Sequence, residues 1–154
     1  MNEIMDKYKT SNVLKLTSLE IVNGRGCLDL TPLSKACRGL QRLLIYYSMG
    51  VQVSLLHSSD DLKFPNLQDL TLYATELRGN YCIPILKSCP NIETLTICQC
   101  NELTDDNFFS ILDLNPMKNL KEICLLLAPN LTTRTIWTMV TCLDRCVRTI
   151  LLVQ

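Results

Sequence analysis

Hydrophobic positions recur along this chain with one repeated spacing, seen most completely in the stretch CPNIETLTICQC from Cys89 to Cys100. Ile92, Leu95 and Ile97 are the apolar positions, and a small residue, Cys100, follows three further on. Leu95 and Ile97 are two apart, so on a β-strand they point to the same face. Ile92 turns inward just ahead of that strand, and Cys100 falls where the chain must bend away from it. The same pattern places Leu16, Leu19 and Ile21 in a first copy, Leu40, Leu43 and Ile45 in a second, and Leu67, Leu70 and Leu72 in a third. A fifth copy has Leu120, Ile123 and Leu125, and a sixth has Val147, Ile150 and Leu152.

Equivalent positions fall at residues 13, 37, 64, 89, 117 and 144, which gives spacings of 24, 27, 25, 28 and 27. All eighteen template positions are apolar in a chain that is 47% hydrophobic, so coincidence is a poor explanation. The spacing L-x-x-L-x-L-x-x-(N/C) is the strand signature of a leucine-rich repeat. It predicts an α/β leucine-rich-repeat solenoid arc of the ribonuclease-inhibitor-like kind, with about six repeats of 24–28 residues and a parallel sheet on the concave face. Residues 1–12 are read as an N-terminal segment and 13–154 as a single repeat domain. A lone repeat cannot bury its own apolar face: one inward side chain is worth about 1.5–3 kcal/mol, while ordering the backbone costs about 1–2 kcal/mol per residue.

Helical returns are expected between the strands. Thr31 is read as an N-cap with Pro32 in the first turn, and Leu33, Ala36 and Cys37 on one face. After the fourth strand, Thr104 or Asp105 caps a helix whose apolar face holds Phe108, Phe109, Ile111 and Leu112. After the fifth, Thr132-Thr133 leads into Ile136, Trp137, Val140 and Leu143, with Trp137 packed inside. Residues 77–87 contain Pro84, which breaks or restarts a helix there, and residues 49–63 read as an irregular segment and loop. The sixth copy reaches Gln154 just past its strand, so the apolar edge is expected to continue or to be covered by a partner.

Charge narrows the range of partners. Fifteen basic and fifteen acidic residues cancel, which argues against nucleic acid as the main partner. No apolar run approaches the length of a membrane span, and the polar start MNEIMDKYKT does not resemble a signal peptide, so the expected location is the cytoplasm or nucleus with no membrane partner. In that setting the nine cysteines read as small buried core residues rather than disulfides. Their spacings, C-x-C and C-x-x-x-C with His57 as the sole histidine, fit no zinc site, and no cofactor or metal is expected. His57 near Asp60 and Asp61, the Asp105-Asp106 pair and Gly24-Arg25-Gly26 are better read as a loop histidine, helix-capping carboxylates and a turn than as catalytic or phosphate-binding groups. Asn130-Leu131-Thr132 fits a glycosylation sequon by chance. The expectation is a protein with no catalytic centre.

The segment CPNIETLTICQCNELTDDNFFSIL resembles the cysteine-containing class of leucine-rich repeat. Cys89, Ile92, Leu95, Ile97, Cys100, Leu103, Thr104, Asp105 and Phe108 all fall on that pattern, whereas the second and third copies keep only the strand half. This class is similar to the repeat domain of F-box/leucine-rich-repeat proteins. The resemblance implies repeats that recognise a protein substrate, with an F-box recruiting the Skp-type adaptor and cullin scaffold of a ubiquitin ligase. It spans about residues 13 to 154 and no F-box, so the adaptor is expected as a partner only where a longer chain supplies one. The alternative is a stand-alone repeat scaffold or regulatory adaptor outside ubiquitination.

Residues between the inward ones should line the concave face. The partner-binding candidates are Glu20, Arg42, Leu44, Tyr46, Asp69, Thr71, Tyr73, Thr96, Cys98 and Glu122. Tyr46 and Tyr73 are expected side by side, with Thr96 and an outward-facing Cys98 extending their surface. Arg42, Asp69 and Glu122 should form a charged margin. An apolar, aromatic centre with a charged margin suits a protein substrate or adaptor.

Overall fold

Leu19, Leu43, Leu70, Leu95, Ile123 and Ile150 align across six strands, as do Ile21, Ile45, Leu72, Ile97, Leu125 and Leu152 one pleat further along. A computed structural model describes residues 15–22, 30–47, 62–74, 82–99, 101, 103–143 and 147–153. Among these residues the strands are β1 (Ser18–Val22), β2 (Arg42–Tyr47), β3 (Asp69–Ala74), β4 (Thr94–Cys98), β5 (Glu122–Leu126) and β6 (Thr149–Val153). They form one parallel sheet in the order β1-β2-β3-β4-β5-β6. Parallel neighbours need a crossover, and helices supply it: α1 (Thr31–Ala36), α2 (Cys82–Lys87), α3 (Asp105–Leu114) and α4 (Thr133–Cys142). This is the α/β leucine-rich-repeat solenoid arc read from the spacing.

The core lies between the sheet and the helices. Leu43, Leu70, Leu95 and Ile123 are completely or almost completely buried against Leu86, Phe108, Ile111 and Leu131. Leu40, Leu67, Ile92 and Leu120, the turn-in positions ahead of β2 to β5, are equally buried. At the exit of β5, Ala128 is buried, which fits the demand for a small residue there. The matching exit residues Gly24, Ser48, Thr75 and Cys100 lie outside the described residues.

Neighbouring repeats are joined by one hydrogen-bond scheme used again and again. The carbonyls of Thr17, Gln41, Gln68, Glu93 and Lys121 each accept two N–H groups from the residues that open the next strand. Side chains add a ladder on the same period. Asn66 donates to the Arg38 carbonyl at 2.8 Å, Asn91 to the Pro65 carbonyl at 2.7 Å, and Asn119 to the Asn91 side chain at 3.1 Å. Buried Asn115 donates to the Leu86 and Cys89 carbonyls at 2.7 and 3.0 Å and accepts from the Met117 N–H at 3.2 Å. It thereby adds a donor to the Leu86 carbonyl, which also accepts the Cys89 N–H at 3.4 Å, and pairs the Cys89 carbonyl just past α2. Just past β4 and β5, Gln99 and Leu127 take φ of 60° and 52° and extend the ladder to the Leu126 and Val153 carbonyls.

The helices depart from the sequence reading in three places. Leu30, not Thr31, holds the cap position of α1. Full burial of Leu30 fixes the start of the helix, and Thr31 begins it with Pro32 in the first turn. Pro84 does not prevent α2, because it sits third in the helix, where the N–H it lacks has no acceptor within the helix anyway. In α4 the buried stripe is Thr135, Met139 and Leu143, so Trp137, two residues from Thr135, points away and is 70% exposed, with Val140 exposed as well. Thr104 caps α3 as expected, accepting from the Asn107 N–H at 3.3 Å.

Candidate protein-interaction surface

The outward positions of the six strands make three rows, set by strand register. The first runs Ser18, Arg42, Asp69, Thr94, Glu122 and Thr149. The second runs Glu20, Leu44, Thr71, Thr96, Cys124 and Leu151, and the third Val22, Tyr46, Tyr73, Cys98, Leu126 and Val153. Polarity therefore changes along the strands. Their N-terminal ends carry the charged and hydroxyl side chains, and their C-terminal ends carry an unbroken apolar and aromatic row about 24 Å across.

Tyr46 and Tyr73 stand side by side on β2 and β3, with ring centroids 5.5 Å apart and planes tilted by 33°. That separation lies within the range of about 4.5–7 Å that aromatic pairs prefer. Arg42 Nε lies 3.3 Å from Asp69 Oδ2 in the charged row. Both side chains are substantially exposed, so the pair adds little stability and serves mainly to hold the two in place. Thr71 and Thr96 are half-buried between these rows.

Cys98 does not extend an exposed surface. It belongs to the outward row, yet it is only 2% exposed. Tyr73 and Leu126 flank it in register on β3 and β5, and the Tyr73 side chain is in contact with it. The Tyr73 hydroxyl is held by the Cys98 side chain, and this contact makes the phenol harder to ionise than usual. Cys98 is thus a floor beneath Tyr73 rather than a contact residue. The same template applied to the sixth copy adds two exposed residues beyond the partner-binding candidates, Leu151 at the end of the second row and Val153 at the end of the third.

Other cysteines and the carboxylate pair serve the scaffold. Burial pushes the Cys89 thiol up to about 12, only partly offset by its contact with Ser88, and it raises Cys37 and Cys124 as well. Asp105 caps the following helix: its carboxylate accepts from the Thr132 N–H at 2.9 Å, from the Thr132 hydroxyl at 2.6 Å, and from the Thr135 hydroxyl. Asp106 meets Arg134 Nη1 at 3.3 Å, and the same guanidinium lies 4.6 Å from the centre of the Phe109 ring. His57 and Gly24-Arg25-Gly26 lie outside the described residues. Among the described residues no three His, Cys, Asp or Glu side chains converge as a metal site, and no helix is long and apolar enough to cross a membrane.

No curated protein and no solved structure gives a significant match to the chain. The family described as "FBD-associated F-box protein At5g56370, LRR repeats" matches residues 9–153, nearly the whole length. That family and the single parallel sheet describe a protein-interaction repeat module. With the six repeats in register and this match across them, the chain belongs to the leucine-rich-repeat family of FBD-associated F-box proteins.

Proposed function

We propose that this chain is the substrate-recognition part of an F-box-type ubiquitin ligase, and that its concave face holds a protein marked for ubiquitination and proteasomal degradation. The observation that carries this reading is the family match over residues 9–153 to the repeats of an F-box protein. The geometry supports it. Glu20, Arg42, Leu44, Tyr46, Asp69, Thr71, Tyr73, Thr96 and Glu122 lie on one sheet face, with an apolar row bordered by charged side chains. Exposed Tyr73 and Val22 in that row are the kind of surface that association covers. Cys98 supports the face from beneath. On this reading the chain performs no chemistry of its own, needs no cofactor, and works in the cytoplasm or nucleus. A Skp-type adaptor joins it only where a longer chain supplies an F-box.

The test joins the chain to an F-box segment and expresses it in cells, with Tyr73→Ala as control. Proteins carrying ubiquitin remnants are then quantified by mass spectrometry. A set of proteins should gain ubiquitin with the wild-type face and not with Tyr73→Ala, while both fusions co-purify with the adaptor. Identical ubiquitin profiles for the two fusions would sink the ligase reading and leave a scaffold outside ubiquitination.

A further inference from the structure

The concave face carries a charge imbalance that the whole chain does not. The chain as a whole is neutral. The three outward rows hold Glu20, Asp69 and Glu122 against the single cation Arg42. Arg42 is committed to Asp69 at 3.3 Å. Glu20 and Glu122 are exposed and make no ion pair among the described residues. They stand on β1 and β5, four strand spacings or about 19 Å apart across the sheet and two residues apart along the strands. Beside them, toward the C-terminal ends of the strands, runs the apolar row with Tyr46 and Tyr73 near its centre.

From this arrangement we infer that the occupant of the concave face is a basic, apolar-faced protein segment lying across the strands. Its aromatic or aliphatic side chains rest on the Tyr46–Tyr73 pair, and Lys or Arg side chains near its two ends meet Glu20 and Glu122. The inference rests on the reading of this face as the binding surface and adds the chemistry of what binds. Two carboxylates with no ion pair among the described residues, about 19 Å apart across the sheet, repel acidic segments and attract basic ones, which sets partner choice more than raw affinity. That separation exceeds the screening length of about 8 Å at physiological salt, so the two carboxylates act independently. An apolar partner without charge would leave both carboxylates unpaired at the rim of the interface.

A displayed library of random peptides of about sixteen residues, long enough to span the two carboxylates in extended or helical form, is selected against the 154-residue chain. Binders are kept if Tyr73→Ala abolishes their binding. The expected sequences carry Lys or Arg on both sides of an aromatic or aliphatic centre. Glu20→Lys and Glu122→Lys should each weaken them about fivefold, independently, and the gap from wild type should narrow as added salt screens the charges. Both substitutions are at exposed positions, and unchanged thermal melting confirms that the fold is intact. If binders depend on Tyr73 but ignore both charge reversals, or are rich in acidic residues, the basic-partner inference fails and the concave-face reading stands. If no selected sequence depends on Tyr73, the concave-face reading falls and this inference falls with it.

Discussion

Asp105, the first residue of α3, caps the helix of the next repeat: its two carboxylate oxygens lie 2.9 Å from the Thr132 N–H nitrogen and 2.6 Å from the Thr132 hydroxyl oxygen. Thr132 in turn is the N-cap of α4, accepting from the Arg134 N–H at 3.1 Å. Arg134 reaches back to Asp106. The helix starts of two successive repeats are therefore one hydrogen-bonded unit.

Asp105→Asn should lower stability by about 1 kcal/mol, the usual net worth of a side-chain hydrogen bond, since Asp105 accepts from Thr132 and Thr135 across the repeat junction. The pH dependence follows from the carboxyl group. Burial raises its pKa, but the hydrogen bonds from Thr132 and Thr135 and the Arg134 charge outweigh that and bring it below its ordinary value of 3.8. A folded-state value below the unfolded one gives stability that is present above the unfolded pKa and lost as pH falls through the folded one. In urea titrations the gap between wild type and Asp105→Asn should hold from neutral pH down to the ordinary carboxyl value of about 3.9 and shrink as pH falls further, through the lowered folded-state value. A gap that is constant down to the lowest pH would show that the carboxylate charge contributes nothing.

Asn115 makes the same kind of junction inside the protein. Its amide pairs the Leu86 and Cys89 carbonyls and the Met117 N–H, all within 3.2 Å. Asn115→Ala leaves two buried carbonyls without that donor, and the expected cost is about 2–3 kcal/mol. Asn119→Ala, which breaks an exposed bond between side chains, should cost under about 0.5 kcal/mol. Equal losses from the two substitutions in denaturant titrations would contradict the difference in burial.

The contrast between these asparagines shows what the one-dimensional pattern contains. Leu43, Leu70, Leu95 and Ile123 were legible because their roles follow from a spacing that every repeat shares. Asn66, Asn91 and Asn119 recur at the third position of their copies and were equally legible as a ladder, but apolar spacing alone does not draw the eye to them. Trp137 was not legible. The rotation of α4 is set by Thr132 against Asp105, 27 residues away, and by the buried Thr135. Read alone, the segment offers Ile136, Trp137 and Val140 as an equally good apolar face. Cys98 failed for a related reason: alternation assigns a side chain to a face, but its exposure depends on the larger side chains beside it in register, here Tyr73 and Leu126.

Thiol labelling tests the placement of the cysteines. Cys89 is fully buried, its thiol is pushed up to about 12, and it lies 3.1 Å from the Ile85 carbonyl, whereas Cys142 is exposed on α4. Only the thiolate reacts with an alkylating reagent, so access and ionisation act in the same direction. At pH 8, short treatment of the native protein with iodoacetamide followed by peptide mass spectrometry should modify Cys142 and leave Cys89 and Cys37 intact. In denaturant all three should react at similar rates. Early modification of Cys89 in the native protein would mean that the packing around α2 is wrong.

The two sides of the sheet predict opposite outcomes for substitutions one strand apart. Leu95 is completely buried at the centre of β4, between Leu70 and Ile123, and Leu95→Asp would put a carboxylate in that stack. The loss should exceed about 4 kcal/mol, enough to unfold the array as a unit, because each repeat depends on its neighbours. Tyr73 is 41% exposed on the opposite face, in contact with Tyr46 and over Cys98. Tyr73→Ala removes part of an aromatic pair worth about 0.5–1.5 kcal/mol and uncovers Cys98. It should therefore lower the melting temperature by a few degrees only and make the Cys98 thiol newly open to alkylation. If circular dichroism shows Tyr73→Ala unfolded and Leu95→Asp folded, the assignment of inner and outer faces is reversed. If Tyr73→Ala stays folded with Cys98 still protected, a side chain other than Tyr73 covers that thiol, and Leu126 is the next to remove.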